Sequence, residues 1–519
     1  MVCTRFLSAV VFSVLWLGLV PGASRRAAAA GGELTLVVVD AQTRQRIACR
    51  IHLSNAKGRP QKVAQMPFWH DHFVCPGQVK LKLPRGGYTF VIERGPEYVE
   101  QTGHFTIDNF ADDEHTVELK RAADMAAEGW WSADLDVHRP LEHVELLMQA
   151  EDLHLGQVIT WSNRGKARGN ARPAPVRKPT RFDGNRYYAM AGQDDRQAGA
   201  VSFLNLQRAL DVAGAQGEFP SPMSFILEAR KQPSAWIDVK RPSSWDLPAW
   251  LAAGAVDSIA LAHSRFCRDR MEKPEHGRRP AGQASGSPPA RPQNADGPWS
   301  QEIYYHLLNC GLRISPSAGS GSGIVPNPVG YNRVYAWVDP EAFSYEAWWE
   351  AFKAGRVVVT NGPLMRPLAN GRHPGHVFKA AAGEKLPLDV MLNFTTRDPI
   401  SYFELVKDGK VVITVPYEQL AKTGHFPPLE FDESGWFLVR VVADVKETYR
   451  FASSGPWYVE IGDAPRRVSR RSAQFFLDWA VERAGQIKLD DADELRQVRA
   501  WHEQAATFWR GMVARANAD

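Results

Sequence analysis

The chain has 519 residues, which is too long for one ordinary domain; about two to four are expected. Its hydrophobic fraction of 44% allows real cores, which excludes a disordered chain. A formal charge of +4 over this length excludes a strong nucleic-acid-binding field.

Residues 1–30 read as a secretory signal peptide. Arg5 gives a basic start, and residues 6–20 (FLSAVVFSVLWLGLV) form an apolar run too short for an ordinary membrane span. Pro21 and Gly22 break the run, and Ala28, Ala29 and Ala30 offer a small-residue cleavage site. The mature protein is therefore expected to be exported, periplasmic or extracellular, with no transmembrane helix. Export permits disulfides, and Cys49 and Cys75 share one predicted β unit, either as partners or as separate buried thiols. No CxxC spacing supports a cysteine-based zinc site.

Residues 33–121 are predicted to be a small β-sandwich. Residues 34–39 are rich in β-branched side chains, residues 79–83 alternate apolar and basic, and Pro84-Arg85-Gly86-Gly87 turns the chain. His70, Asp71 and His72 offer metal-binding side chains, but a polar loop is the simpler reading.

From Trp130 the pattern changes to strands alternating with helices. A strand ending at Val137 precedes helical spacing at Leu141, Val144, Leu147 and Met148. Later pairs predict helices at 225–231, 247–253 and 302–309, each followed by a strand, at 235–239, 258–261 and 312–314. Repeated units of this kind predict a largely parallel sheet or barrel over residues 128–366, with its working site at the carboxyl ends of the strands. Residues 163–181, basic and without acids, and 271–298, rich in Pro, Gly and Ser, read as exposed insertions.

Residues 374–462 are predicted to be an immunoglobulin-like β module, in which Asp408-Gly409 turns a hairpin. Residues 471–517 read as helices, with an apolar stripe (Leu495, Val498, Trp501, Ala505, Phe508, Met512) that docks on the chain's own core.

Chemistry concentrates in residues 129–140 (GWWSADLDVHRP). Asp134, Asp136 and His138 alternate along a predicted strand and so share one face. Two carboxylates and an imidazole suit a divalent ion such as zinc or manganese. His143 is a further donor at the start of the helix. The other reading has His138 bonded to a neighbour and the aspartates capping the helix. Asp238, Lys240 and His263 lie at predicted strand ends, and Asn327, Asn332 and Arg333 follow a glycine run that reads as a tight turn. Asp246 reads as a helix N-cap.

Residues 129–140 resemble the Gly-aromatic-Ser-Gly-Asp-Leu-His-Val-His entry of the carbaryl-hydrolase-like (CehA/McbA) branch of the PHP superfamily. The likeness continues in residues 148–161 (MQAEDLHLGQVITW), 315–333 (SPSAGSGSGIVPNPVGYNR), 355–363 (GRVVVTNGP) and 451–459 (FASSGPWYV). It implies a multidomain α/β plus β protein. A carboxypeptidase-regulatory or transthyretin-like β-sandwich would lead a central distorted (β/α) PHP-like barrel, followed by an Ig-like β module. It implies metal-activated water attacking an ester, phosphoester or carbamate.

The departures from the family are equally specific. His-x-His is here Asp136-Val137-His138, and the expected Asp-His is Trp161-Ser162. Gln193 stands for a glutamate, Arg241-Pro242 for His-Pro, and residues 319–323 (GSGSG) carry neither terminal ligand. The resemblance therefore implies at most one divalent metal ion, zinc or manganese, on Asp136, His138 and Asp194 or Asp195, with Arg333 binding an anionic substrate group. The alternative is a catalytically inactive barrel that serves as a cell-envelope binding or structural protein.

Overall fold

The computed structural model describes residues 31–108, 112–163, 176–272, 277–279, 296–463 and 466–519. The expected signal peptide and most of both insertions lie outside the described residues. The protein is β-rich and multidomain, with helices packed on the sheets.

The first unit contains β1 (Gly31–Asp40), β2 (Cys49–Asn55), β3 (Phe68–Trp69), β4 (His72–Cys75), β5 (Gln78–Pro84), β6 (Gly86–Glu93), β7 (Gln101–Ile107) and β8 (Asp112–Leu119). They form two sheets, β5-β1-β8 and β3-β4-β2-β6-β7. Alternation buries one face of each: Val79, Leu81 and Leu83 from β5 meet Ile51, Leu53, Phe90 and Ile92 in one core. Cys49 and Cys75 are cross-strand partners, present as thiols with Sγ atoms 3.6 Å apart.

The central unit follows as β9 (Trp130–Val137), α1 (Leu141–Ala150), β10 (Leu155–Ser162), β11 (Thr180–Phe182), β12 (Arg186–Arg196), β13 (Gly199–Leu204), α2 (Pro222–Arg230), β14 (Trp236–Val239), α3 (Leu247–Ala252), β15 (Ser258–Ala262), α4 (Asp296–Asn309) and β16 (Ser315–Ala318). The strand order is β16-β15-β14-β13-β12-β10-β9. Neighbours are parallel except at β13, which is antiparallel to both β12 and β14. The expected strand at 312–314 lies three residues later, at Ser315–Ala318.

The glycine run joins the two ends of this sheet. Gly321 N donates to Asp136 O at 2.9 Å, and His138 N donates to Ser322 O at 2.7 Å. Side chains are excluded there: a Cβ on Gly319 would lie 2.5 Å from Asp136 Cβ, and one on Gly323 2.0 Å from His138 O.

Two antiparallel strands, β17 (Arg333–Trp337) and, after α5 (Tyr345–Lys353), β18 (Val357–Thr360), extend the same sheet beyond β9. The C-terminal module comprises β19 (Leu364–Ala369), β20 (Val377–Ala380), β21 (Leu386–Leu388), β22 (Val390–Thr395), β23 (Tyr402–Lys407), β24 (Lys410–Pro416), α6 (Tyr417–Thr423), β25 (Leu429–Phe431), β26 (Gly435–Val442), β27 (Phe451–Ser454) and β28 (Trp457–Ile461). β18 pairs with β27, so the hydrogen-bonded sheet runs unbroken from the central unit into this module. Asp408 and Gly409 both have positive φ, as a tight hairpin turn requires.

The chain ends in α7 (Arg470–Gln486) and α8 (Ala492–Ala514). The apolar stripe docks internally as expected. Val498, Ala505 and Met512 are buried, and Trp509 Nε1 donates to Pro248 O at 3.0 Å. Asp246 precedes α3 but makes no cap bond; its carboxylate instead accepts from Arg483 Nε at 2.7 Å.

Gly323 tests the sheet closure. It has φ +102° and no room for a Cβ. Gly323→Ala is expected to destabilise the protein by about 2–4 kcal/mol, from backbone strain plus overpacking. Denaturant unfolding measures this; an unchanged midpoint would show that the junction tolerates displacement.

Candidate functional site

The polar face of β9 is set by alternation. Trp131, Ala133 and Leu135 enter the large apolar core, so Ser132, Asp134 and Asp136 take the other side. On β14, Ile237 and Val239 join the same core, and Asp238 faces away from it. The interior of the curled sheet is therefore polar, and every charge in it needs a partner.

Asp134 is spent on backbone. It accepts from Asp136 N at 3.0 Å, Ser320 N at 3.0 Å and Gly330 N at 2.7 Å. It thus fixes both sides of the loop that follows β16.

Asp136 and His138 come together as expected, with His138 Nε2 2.7 Å from Asp136 Oδ1. The same oxygen lies 2.7 Å from Lys240 Nζ, which also donates to Gln193 Oε1 at 2.6 Å. Burial alone would push the Asp136 carboxyl up, but Lys240 and His138 outweigh it and hold it well below the usual range. Asp238 differs. Burial pushes it up from 3.8 to about 6, with Asp136 adding repulsion, against hydroxyl donation from Ser258 and Ser317.

Asp194 is a correction. Both its oxygens are taken by Arg196, at 2.6 and 2.5 Å, and Asn163 Nδ2 donates to one of them at 2.5 Å. A carboxylate so engaged is not a free ligand. Asp195 pairs with Arg241 at 2.9 Å. Arg333 is a second correction. It is 1% exposed and donates to Gly330 O at 2.6 Å, Glu151 O at 3.2 Å and Tyr335 Oη at 3.4 Å, so it braces the interior rather than meeting a ligand. Asn327 and Asn332 likewise donate to backbone carbonyls around Phe266. His263 is buried beside Phe266, with Nε2 3.1 Å from Ser300 Oγ; burial lowers its pKa far below the ordinary value.

Among the described residues, one group of His, Cys, Asp or Glu could hold a metal ion: His52, Asp71 and His72, with ligand atoms within 4.8 Å of one another. It lies in the first unit. The sequence favours a polar loop at His70-Asp71-His72; the structure instead groups Asp71 and His72 with His52, across the sheet on β2, while His70 is exposed. Asp71 is 3.1 Å from His52 Nδ1 and 3.0 Å from His72 Nδ1. Burial lowers both histidines, His72 to about 3, so they are neutral at pH 7, as ligands must be.

The group is nonetheless already served by cations. Arg268, from the central unit, lies 3.0 Å from Asp71 Oδ2 and 3.3 Å from Glu93 Oε1. Arg50 Nε donates to His52 Nε2 at 3.1 Å, which leaves the ring proton on Nδ1, toward Asp71. Arg50 also pairs with Glu93 at 2.6 Å and Glu151 at 2.5 Å.

No protein-family model matches the chain, and no curated protein matches it. Among solved structures, the chain is similar over 21% of its length to the Bacillus anthracis TIE protein, at 25% identity and a TM-score of 0.15. The matched stretch spans 20% of that protein. It is also similar, over 19% of its length, to the fibronectin(III)-like modules of Clostridium thermocellum CbhA, at 13% identity and a TM-score of 0.14, covering 99% of that chain. At these scores neither likeness assigns a fold or function. No helix among the described residues is long and apolar enough to cross a membrane.

Asp238 gives a pH test. A carboxyl raised in the fold holds its proton more tightly folded than unfolded, so it costs nothing below pH about 4. Stability falls as pH rises from about 4 through about 6, by roughly 3 kcal/mol in all. Asp238→Asn is expected to remove this loss, so variant minus wild type should grow more favourable from pH 4 to 7. Parallel stability curves would contradict the assignment.

Proposed function

We propose that this chain is an exported PHP-like barrel protein that works without a metal, as a binding or structural component of the cell envelope. One observation carries the reading: Lys240 Nζ sits 2.7 Å from Asp136 Oδ1 and 2.6 Å from Gln193 Oε1, where a divalent ion would contact the same carboxylate. An ammonium there supplies the neutralising charge but has no vacant coordination position, so it cannot activate water as a Lewis acid. The other expected acids point the same way, because Asp194 and Asp195 are each engaged by arginine. The resemblance in residues 129–140 supports the barrel, and the sandwich and Ig-like modules on either side support a binding role.

A second reading rests on the 2.7 Å approach of His138 to Asp136. One divalent ion, zinc or manganese, held by this pair would support hydrolysis of an ester, phosphoester or carbamate. It requires Lys240 to leave Asp136.

Elemental analysis of dialysed protein separates the two. Wild type grown with zinc and manganese is expected to retain well under one ion per chain. Stoichiometric metal that disappears in His138→Ala would establish the hydrolase reading instead. Lys240→Ala strands a buried carboxylate and should cost about 3–5 kcal/mol. Added zinc should raise the melting temperature of that variant and leave wild type unchanged.

A further inference from the structure

We propose that a basic cleft, where α4 and the start of α7 meet the C-terminal module, binds an acidic polysaccharide. It lies apart from the Asp136 centre, and the proposal does not rest on that centre being metal-free. Two adjoining cavities of about 650 and 940 Å³ share Arg467 as a common wall. Eight lysine and arginine side chains line them, against five aspartates and glutamates.

The imbalance is sharper than the count. Glu460 is already occupied by Arg313 at 2.6 Å, and Asp408 accepts from Trp436 N at 3.0 Å and faces Arg467 at 3.9 Å. Lys410, Arg466, Arg470 and Arg471 are exposed, and none has a carboxylate within ion-pair distance among the described residues. Arg470 and Arg471 stand in the first turn of α7, which carries no acid. That is the positive end of the helix dipole, where cations are disfavoured and an anion is welcome. Here four exposed cations, without a carboxylate partner among the described residues, stand together around the two cavities. An anionic ligand relieves that repulsion.

The walls favour a sugar chain over a nucleic acid. Bases need exposed aromatic faces for stacking. Here Trp436 and Tyr305 are buried, and Arg313 already covers the Tyr458 ring at 4.4 Å from its centroid. The rest of the lining mixes short side chains, among them Ala380, Ala381 and Ala382, with polar ones such as Gln474, and leaves room for a sugar ring. Spaced carboxylates or sulfates on a polysaccharide match cations spread along two cavities.

The test uses the whole protein and a fluorescently labelled hexamer of uronic acid, followed by anisotropy. A neutral glucose hexamer and an oligothymidylate of equal charge serve as comparisons. Wild type should bind the hexauronate, more weakly as salt is raised, and should not bind the neutral hexamer. Arg466→Glu/Arg470→Glu/Arg471→Glu should lose at least about tenfold in affinity with its melting temperature retained. If that triple variant unfolds, Lys410→Glu alone should still weaken binding several-fold. Equal affinity in variant and wild type, or no binding by wild type, overturns the site. Oligothymidylate binding as tight as hexauronate overturns the saccharide assignment. The metal content of the Asp136 centre is a separate readout, so either proposal can fail without the other.

Discussion

The ion pair between Lys240 and Asp136 governs the centre of this protein. Asp136 sits in a polar interior enclosed by strands, where an unpaired carboxylate would be expensive. A carboxylate in that position can lose its charge by protonation, be balanced by a metal, or be balanced by a fixed cation. Lys240 takes the third course, and its reach to Gln193 ties β9, β12 and the end of β14 around one ammonium. Asp238, facing the same interior with hydroxyl donors in place of a contacting ammonium, is less well balanced, and burial holds its pKa up at about 6.

The same solution recurs in the first unit. His52, Asp71 and His72 make the one metal-like group among the described residues, and Arg268 reaches across from the central unit to its carboxylate. In both places a basic side chain occupies the electrostatic role an ion would have. The consequence for architecture is that the units are fastened by buried charge. Arg50 bridges Glu93 and Glu151, while Arg94, Arg121 and Arg186 all converge on Asp152 at the end of α1. A guanidinium offers several donors in a fixed plane, so one arginine can satisfy carboxylates from two units at once.

What the sequence revealed follows from the range of the forces involved. The shared face of Asp134, Asp136 and His138 was legible because alternation along a strand is local. So was the Asp408-Gly409 turn. Arg196 lies two residues from Asp194 on one strand, hence on the same face, and that spacing could have flagged the pair that removes Asp194 from any ligand set. The β12–β13 hairpin was missed because it turns at Gln197-Ala198, without the usual Asn-Gly or Asp-Gly signal. β16 was misplaced because Ser-Pro-Ser-Ala has little strand preference and is held extended by its neighbour β15. Lys240 was recognisable as a strand end, but its contact with Asp136 depends on the curl of the sheet. His52 joined Asp71 and His72 through strand pairing, which no local pattern records.

The glycine run shows how tightly the loop after β16 is packed against the end of β9. At Gly319 and Gly323 the absence of a side chain is itself structural: the backbone passes against Asp136 and His138 so closely that a Cβ would collide. Donors at these positions would have to stand off from β9, leaving room between the walls for an ion. With glycine the walls meet directly, Asp134 binds Ser320 N and Gly330 N, and Lys240 supplies the charge. The closed backbone, the buried ammonium and the arginine-bound Asp194 form one self-consistent arrangement. One donor placed in the run would not by itself make a metal centre, because backbone fills the space, Lys240 balances Asp136 and Arg196 holds Asp194.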